Sequence, residues 1–131
     1  MIAAQVTQIL AALAPHASEE RRQVAVTYFP TAMRVLGVPV PALRPIAKAL
    51  AKEHKDAPPA FVLRLAEALI RDGSMEGRQV AYELLENHKA TALALRPDDI
   101  ERLRQGLDNW ASVDSFAASV AGPAWRRGQL G

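Results

Sequence analysis

Pro41-Ala42-Leu43-Arg44-Pro45-Ile46-Ala47-Lys48-Ala49-Leu50-Ala51-Lys52-Glu53-His54-Lys55 is the stretch whose reading decides the fold. Leu43, Ile46, Ala47, Leu50 and Ala51 recur at three- and four-residue intervals, so they share one face of a helix, and Arg44, Lys48, Lys52 and Lys55 share another. The pattern predicts a helix over 42–55 with an apolar seam opposite a basic ridge. The same period runs outward in both directions. Ile2, Val6, Ile9, Leu10 and Leu13 mark a first helix. Pro15-His16-Ala17-Ser18 ends it and caps a second, with Glu19 and Glu20 in its first turn. Residues 31–41 form a connection in which Leu36-Gly37-Val38-Pro39-Val40-Pro41 supplies a glycine able to take positive φ and two prolines that stop and restart helix. Further helices are expected over 59–72, 75–89, 97–109 and from 112 onward, separated by Asp56-Ala57-Pro58-Pro59, Asp72-Gly73-Ser74 and Arg96-Pro97-Asp98.

No run of alternating β-branched residues interrupts this period, so the fold class is all-α. Seven helices on short joints make sequential neighbours antiparallel and place residues 1–131 in a single domain. Helix pairs recur about every 30 to 45 residues, the size of α-solenoid repeats, although no standard repeat signature is present.

Half of the 131 residues are apolar, enough for a core, and the formal net charge is +2. With no cysteine there is no disulfide framework, thiolate nucleophile or cysteine-ligated zinc, and a reducing cytosol is the simplest compartment. Gln5, Thr7 and Gln8 interrupt the apolar opening, which reads neither as a signal peptide nor as a membrane span. His16, His54 and His88 fall into no metal-binding spacing, and there is no phosphate-binding glycine loop, dinucleotide fingerprint or nucleophile elbow. Neither metal nor cofactor is implied. Glu67 and Arg71 are spaced as a surface ion pair, and Tyr82 and Trp125 as packing residues.

The stretch with chemical character is Trp110-Ala111-Ser112-Val113-Asp114-Ser115. With Ser112 read as an N-cap, Asp114 falls in the first turn, where free amides and the helix dipole favour an ionised carboxylate. A fixed carboxylate beside an indole suits a cationic substrate; the same placement also simply stabilises a helix. The ridge of Arg44, Lys48, Lys52 and Lys55 has two readings as well: a solvated face, or a track for a phosphate backbone.

Taken together, Tyr28-Phe29, Leu36-Gly37-Val38 with Pro41 and Arg44, the helical run from Glu76 to His88, and Trp110 to Ser115 resemble the AlkD-type alkylpurine DNA glycosylases from about residue 20 onward. The resemblance implies a HEAT-like α-solenoid whose basic concave surface holds double-stranded DNA, and excision of cationic alkylated purines such as 3-methyladenine or 7-methylguanine. It places the family's catalytic aspartate on Asp114 and a deoxyribose-contacting aromatic on Trp110. Asn109 stands where the family often has another aromatic. Members of the family extend about 100 residues further, by typical repeat lengths, and that part carries a cleft arginine and a second aromatic. The expectation is therefore an N-terminal part of a longer protein. Consistently, Val113, Phe116, Val120 and Trp125 read as an uncovered apolar face through which the chain either continues or self-associates. The other class of function compatible with the sequence is a non-catalytic helical-repeat module that binds DNA or protein.

Overall fold

A computed structural model describes residues 1–130, and the described residues form an all-α protein. The elements are α1 (Ile2–Leu13), α2 (Glu19–Tyr28), α3 (Val40–Glu53), α4 (Pro59–Arg71), α5 (Met75–Asn87), α6 (Lys89–Ala94), α7 (Pro97–Leu103), α8 (Trp110–Phe116) and α9 (Gly122–Arg126). A 3-10 turn follows α1, and a π-helical turn over Ala117–Ala121 joins α8 to α9, so 110–126 is one helical run. Pro123 explains the wide turn: lacking an N–H, it cannot continue the ladder, and Gly122 donates instead to the carbonyl of Ala117, five residues back. The seven expected helices are present, with α6 as an addition between the fifth and sixth.

The core is built around α5, which buries Val80, Ala81, Tyr82, Leu84 and Leu85 and packs against α3, α4, α6 and α8. The seam of α3 enters it as the period requires, through Leu43, Ala47, Leu50 and Ala51. The short Asp72–Ser74 joint makes α4 and α5 antiparallel, while α3 runs parallel to α5. Two polar ties fix that parallel pair. At its start, the buried Glu76 carboxylate accepts the backbone N–H groups of Leu36 at 3.0 Å, Gly37 at 2.8 Å and Val38 at 3.2 Å, just before α3 begins. At its end, His88 meets the carbonyl of His54 through Nε2 at 2.8 Å. The Thr91 amide donates to Nδ1, so the imidazole proton sits on Nε2 and is donated to His54. The His88 imidazole is thus structural.

The connection over 31–38 is bolted to three places. Thr31 and Ala32 donate to the Asp108 carboxylate, and these bonds, Thr31 first, hold the Asp108 carboxyl below its ordinary range. Arg34 exchanges backbone hydrogen bonds with Gly73 and Met75, and its guanidinium bonds Asp72. Gly37 accepts from the Ser18 N–H at the start of α2, which buries no side chain of its own.

Several sequence expectations are corrected. The helix expected over 97–109 ends at Leu103, because Gly106 takes φ +82° and the chain turns there. Glu67 pairs across the fold with Arg102 at 2.7 Å, not with Arg71, since α7 lies against α4. Phe116 and Val120 are buried in the chain's own core against α5, so they do not form an uncovered apolar face. Trp125, expected to pack, is 71% exposed.

Gly37 has φ +85°, and a Cβ there would lie 2.3 Å from the Ser18 carbonyl oxygen and 2.8 Å from the Arg22 nitrogen; Gly73 has φ +92° with open space around it. The left-handed backbone alone costs about 1–2 kcal/mol for a side chain. Gly73→Ala should therefore lose about that much, and Gly37→Ala clearly more, in chemical unfolding. Equal losses would mean that the contact of Gly37 with α2 does not hold in solution.

Candidate active site

The N-cap of α8 is Asn109, whose Oδ1 accepts the Ser112 N–H at 2.8 Å. Ser112 is therefore the third helical residue, not the cap, and Asp114 the fifth, beyond the first turn. Asp114 is thus out of reach of the free amides of the first turn. Asn109 also explains the departure from the aromatic at this place: its amide, largely buried, bonds Asp108 and the Thr31 hydroxyl, locking α8 to the 31–38 connection.

What α8 displays is nonetheless a usable pair. Trp110 is 74% exposed and Asp114 is exposed, and their spacing of four puts them on one face of the helix. The other face is held by Phe116, whose ring stacks tilted on Tyr82 with centroids 5.3 Å apart. Tyr82 is fully buried, donates to the Leu103 carbonyl at 2.7 Å and accepts from Arg78 at 2.9 Å. Burial pushes its phenol pKa up, so it stays a neutral anchor.

Asp114 lines a groove of about 580 Å³ between α3, α5 and α8. Arg44 and Lys48 form its α3 wall, Gln79, Glu83 and Glu86 come from α5, and Asp114 and Ser115 from α8. The sequence ridge is thus split. Arg44 and Lys48 face Asp114 across the groove. Lys55 belongs to a separate hollow beside Lys89 and His88, and Lys52, though exposed, lines neither. A second, more apolar groove of about 450 Å³ runs under α2 and shares Val40, Gln79 and Ala111 with the first.

Three acids around the two grooves were not singled out in the sequence: Glu76, Glu83 and Glu86. Glu76 sits in the first turn of α5 behind the Ser74 cap, an ordinary position for a helix-stabilising acid, and nothing local shows that it binds the 36–38 amides. Glu83 lies on α5 with its side chain 7% exposed and meets Arg44 Nε at 3.6 Å. An acid at a core position of a helical period was the available signal.

A family model described as DNA alkylation repair enzyme matches residues 9–129. The chain belongs to that family. Membership places it in DNA repair, and the match spans the 31–38 connection, α5 and α8 together. The chain matches no curated protein and no solved structure. Among the described residues, no helix of this family member is long and apolar enough to cross a membrane.

If the groove receives a DNA backbone, the split ridge has a measurable signature. Lys48→Ala should flatten the dependence of log K on log salt for duplex DNA by about 0.9. Lys52→Ala, outside the groove, should leave the slope in place. A slope that responds equally to both would return the ridge to a uniform solvated face.

Proposed function

We propose that this protein is a DNA glycosylase that excises cationic alkylated purines, of the 3-methyladenine and 7-methylguanine type, from duplex DNA. The observation that carries the reading is the pairing of an exposed indole and an exposed carboxylate, Trp110 and Asp114, on one helix face beside a groove with a cationic wall. Each part has a task in that reaction. Arg44 and Lys48 take the phosphates that flank the lesion. Trp110 packs against the deoxyribose, and Asp114 lies near C1′.

In the reaction the bond from C1′ to the purine nitrogen breaks and its electron pair neutralises the departing base. Positive charge develops on the sugar, as in glycoside hydrolysis. A fixed carboxylate stabilises that charge and orients a water; the water oxygen bonds C1′ and its proton leaves to solvent. Alkylation has already made the base a good leaving group, so no general acid is required. The family match and the resemblance at Leu36-Gly37-Val38, Arg44 and Trp110 to Ser115 support this reading over that of a passive DNA- or protein-binding module.

Asp114→Asn should raise the barrier for release of 7-methylguanine by about 2 to 4 kcal/mol, the usual scale for one preorganised electrostatic group. Because Asp114 is exposed and outside the core, thermal unfolding should be unchanged. A variant that releases the base as fast as the parent removes Asp114 from catalysis and leaves a binding module.

A further inference from the structure

Glu83 is a buried acid that the steps above do not use. Its side chain is 7% exposed, and its carboxylate has two partners: Gln79 Nε2 donates to Oε2 at 2.9 Å, and Arg44 Nε faces Oε1 at 3.6 Å. Burying a carboxylate is costly unless it is well bonded, and a close-packed apolar side chain in its place is often no less stable. Burial alone therefore gives no reason for a carboxylate at this position. Arg44, in contrast, has its side chain 63% exposed and makes no hydrogen bond to another side chain or backbone group among the described residues. Glu83 meets the guanidinium at Nε, and Arg44, Glu83 and Asp114 line the same groove. At 3.6 Å the carboxylate steers the arginine without neutralising it by a close bidentate pair.

We propose that Glu83 is a positioning residue: it orients Arg44 as a fork for one backbone phosphate and so sets the register of the damaged nucleotide against Asp114. The proposal rests on the glycosylase reading and deepens it. Arginine suits the task because its planar fork matches a phosphate geometry that a lysine ammonium does not. The tie at Glu76 supplies the frame. It fixes the starts of α3 and α5 together, so Arg44, six residues past Val38, comes level with Glu83, seven past Glu76.

The test separates orientation from charge. Removing an acid from a DNA-binding groove makes it more positive, which by itself tightens binding. Glu83→Gln keeps the shape and the partner at Gln79. It should leave the affinity for an undamaged duplex equal or higher while lowering kcat for 7-methylguanine release about tenfold, less than the roughly hundredfold that a misplacement of about 1 Å can cost. Arg44→Lys should reproduce that loss of kcat, and Glu83→Gln should cost nothing further in an Arg44→Ala background. Melting curves of each variant accompany the rates. The proposal is overturned if Glu83→Gln retains the parent kcat. It is equally overturned if Arg44→Lys does, or if the loss persists undiminished without Arg44, which would assign Glu83 to the fold alone. An inactive parent removes the proposed function and this inference together; an active parent indifferent to Glu83→Gln removes this inference only.

Discussion

One buried carboxylate organises the molecule around its groove. Glu76 gathers three consecutive backbone N–H groups, from Leu36 to Val38, at the point where the chain leaves its connection and enters α3. Without Glu76 the buried amides of Gly37 and Val38 would be unpaired, a cost of about 1–3 kcal/mol each. With it, a charged acceptor in the first turn of α5, where the helix dipole also favours negative charge, joins two helix starts that are about 40 residues apart in sequence. The same loop then ties α2 through Gly37 and Ser18 and α8 through Thr31 and Asp108. The three elements that border the groove are thus registered by polar bonds, and the apolar core under α5 supplies the bulk of the burial.

That division of labour suits a surface site. The groove lies on an outer face of the helices: Asp114, Arg44 and Lys48, which line it, and Trp110 beside it are all exposed. The helices that carry them are still fixed, anchored from the opposite side by Phe116 on Tyr82 and by Leu43 and Ala47 in the core. On the proposed reading, cations for the phosphates and the Asp114 carboxylate for the sugar need accuracy more than enclosure, since preorganised charge supplies much of the energy of such catalysis. The π turn after α8 adds a local rule. Pro123 and Gly122 reset the helix phase just past the Asp114 segment, so Ala124 enters the core while Trp125 points to solvent.

What was legible in the sequence, and what was not, follows the range of the interactions. The amphipathic period of residues 42–55 gave the seam and the ridge of α3 because both are local properties of one helix. Ser18 as a cap was equally local, and its side chain does accept from Arg21. Ser112 was misread because Asn109, three residues earlier, is as good a cap and is also tied to Thr31 across the fold. Pairing of Glu67 with Arg71 failed for the same reason, since Arg102 arrives from 35 residues away. The candidate site divides likewise. Trp110, Asp114, Arg44 and Lys48 belong to short motifs; Glu76 and Glu83 acquire their roles only from helices that folding brings alongside. Which part of a basic ridge faces a groove is also a tertiary property, and it separates Lys48 from Lys52.

The most direct measurement is single-turnover base release from two duplexes identical except for one nucleotide, 7-methylguanine in one and the uncharged purine hypoxanthine in the other. A site that stabilises sugar charge with a carboxylate and offers no general acid should release the cationic base far faster than its spontaneous loss, and leave the neutral base in place. Release of both bases, or of neither above the spontaneous rate, would contradict the account.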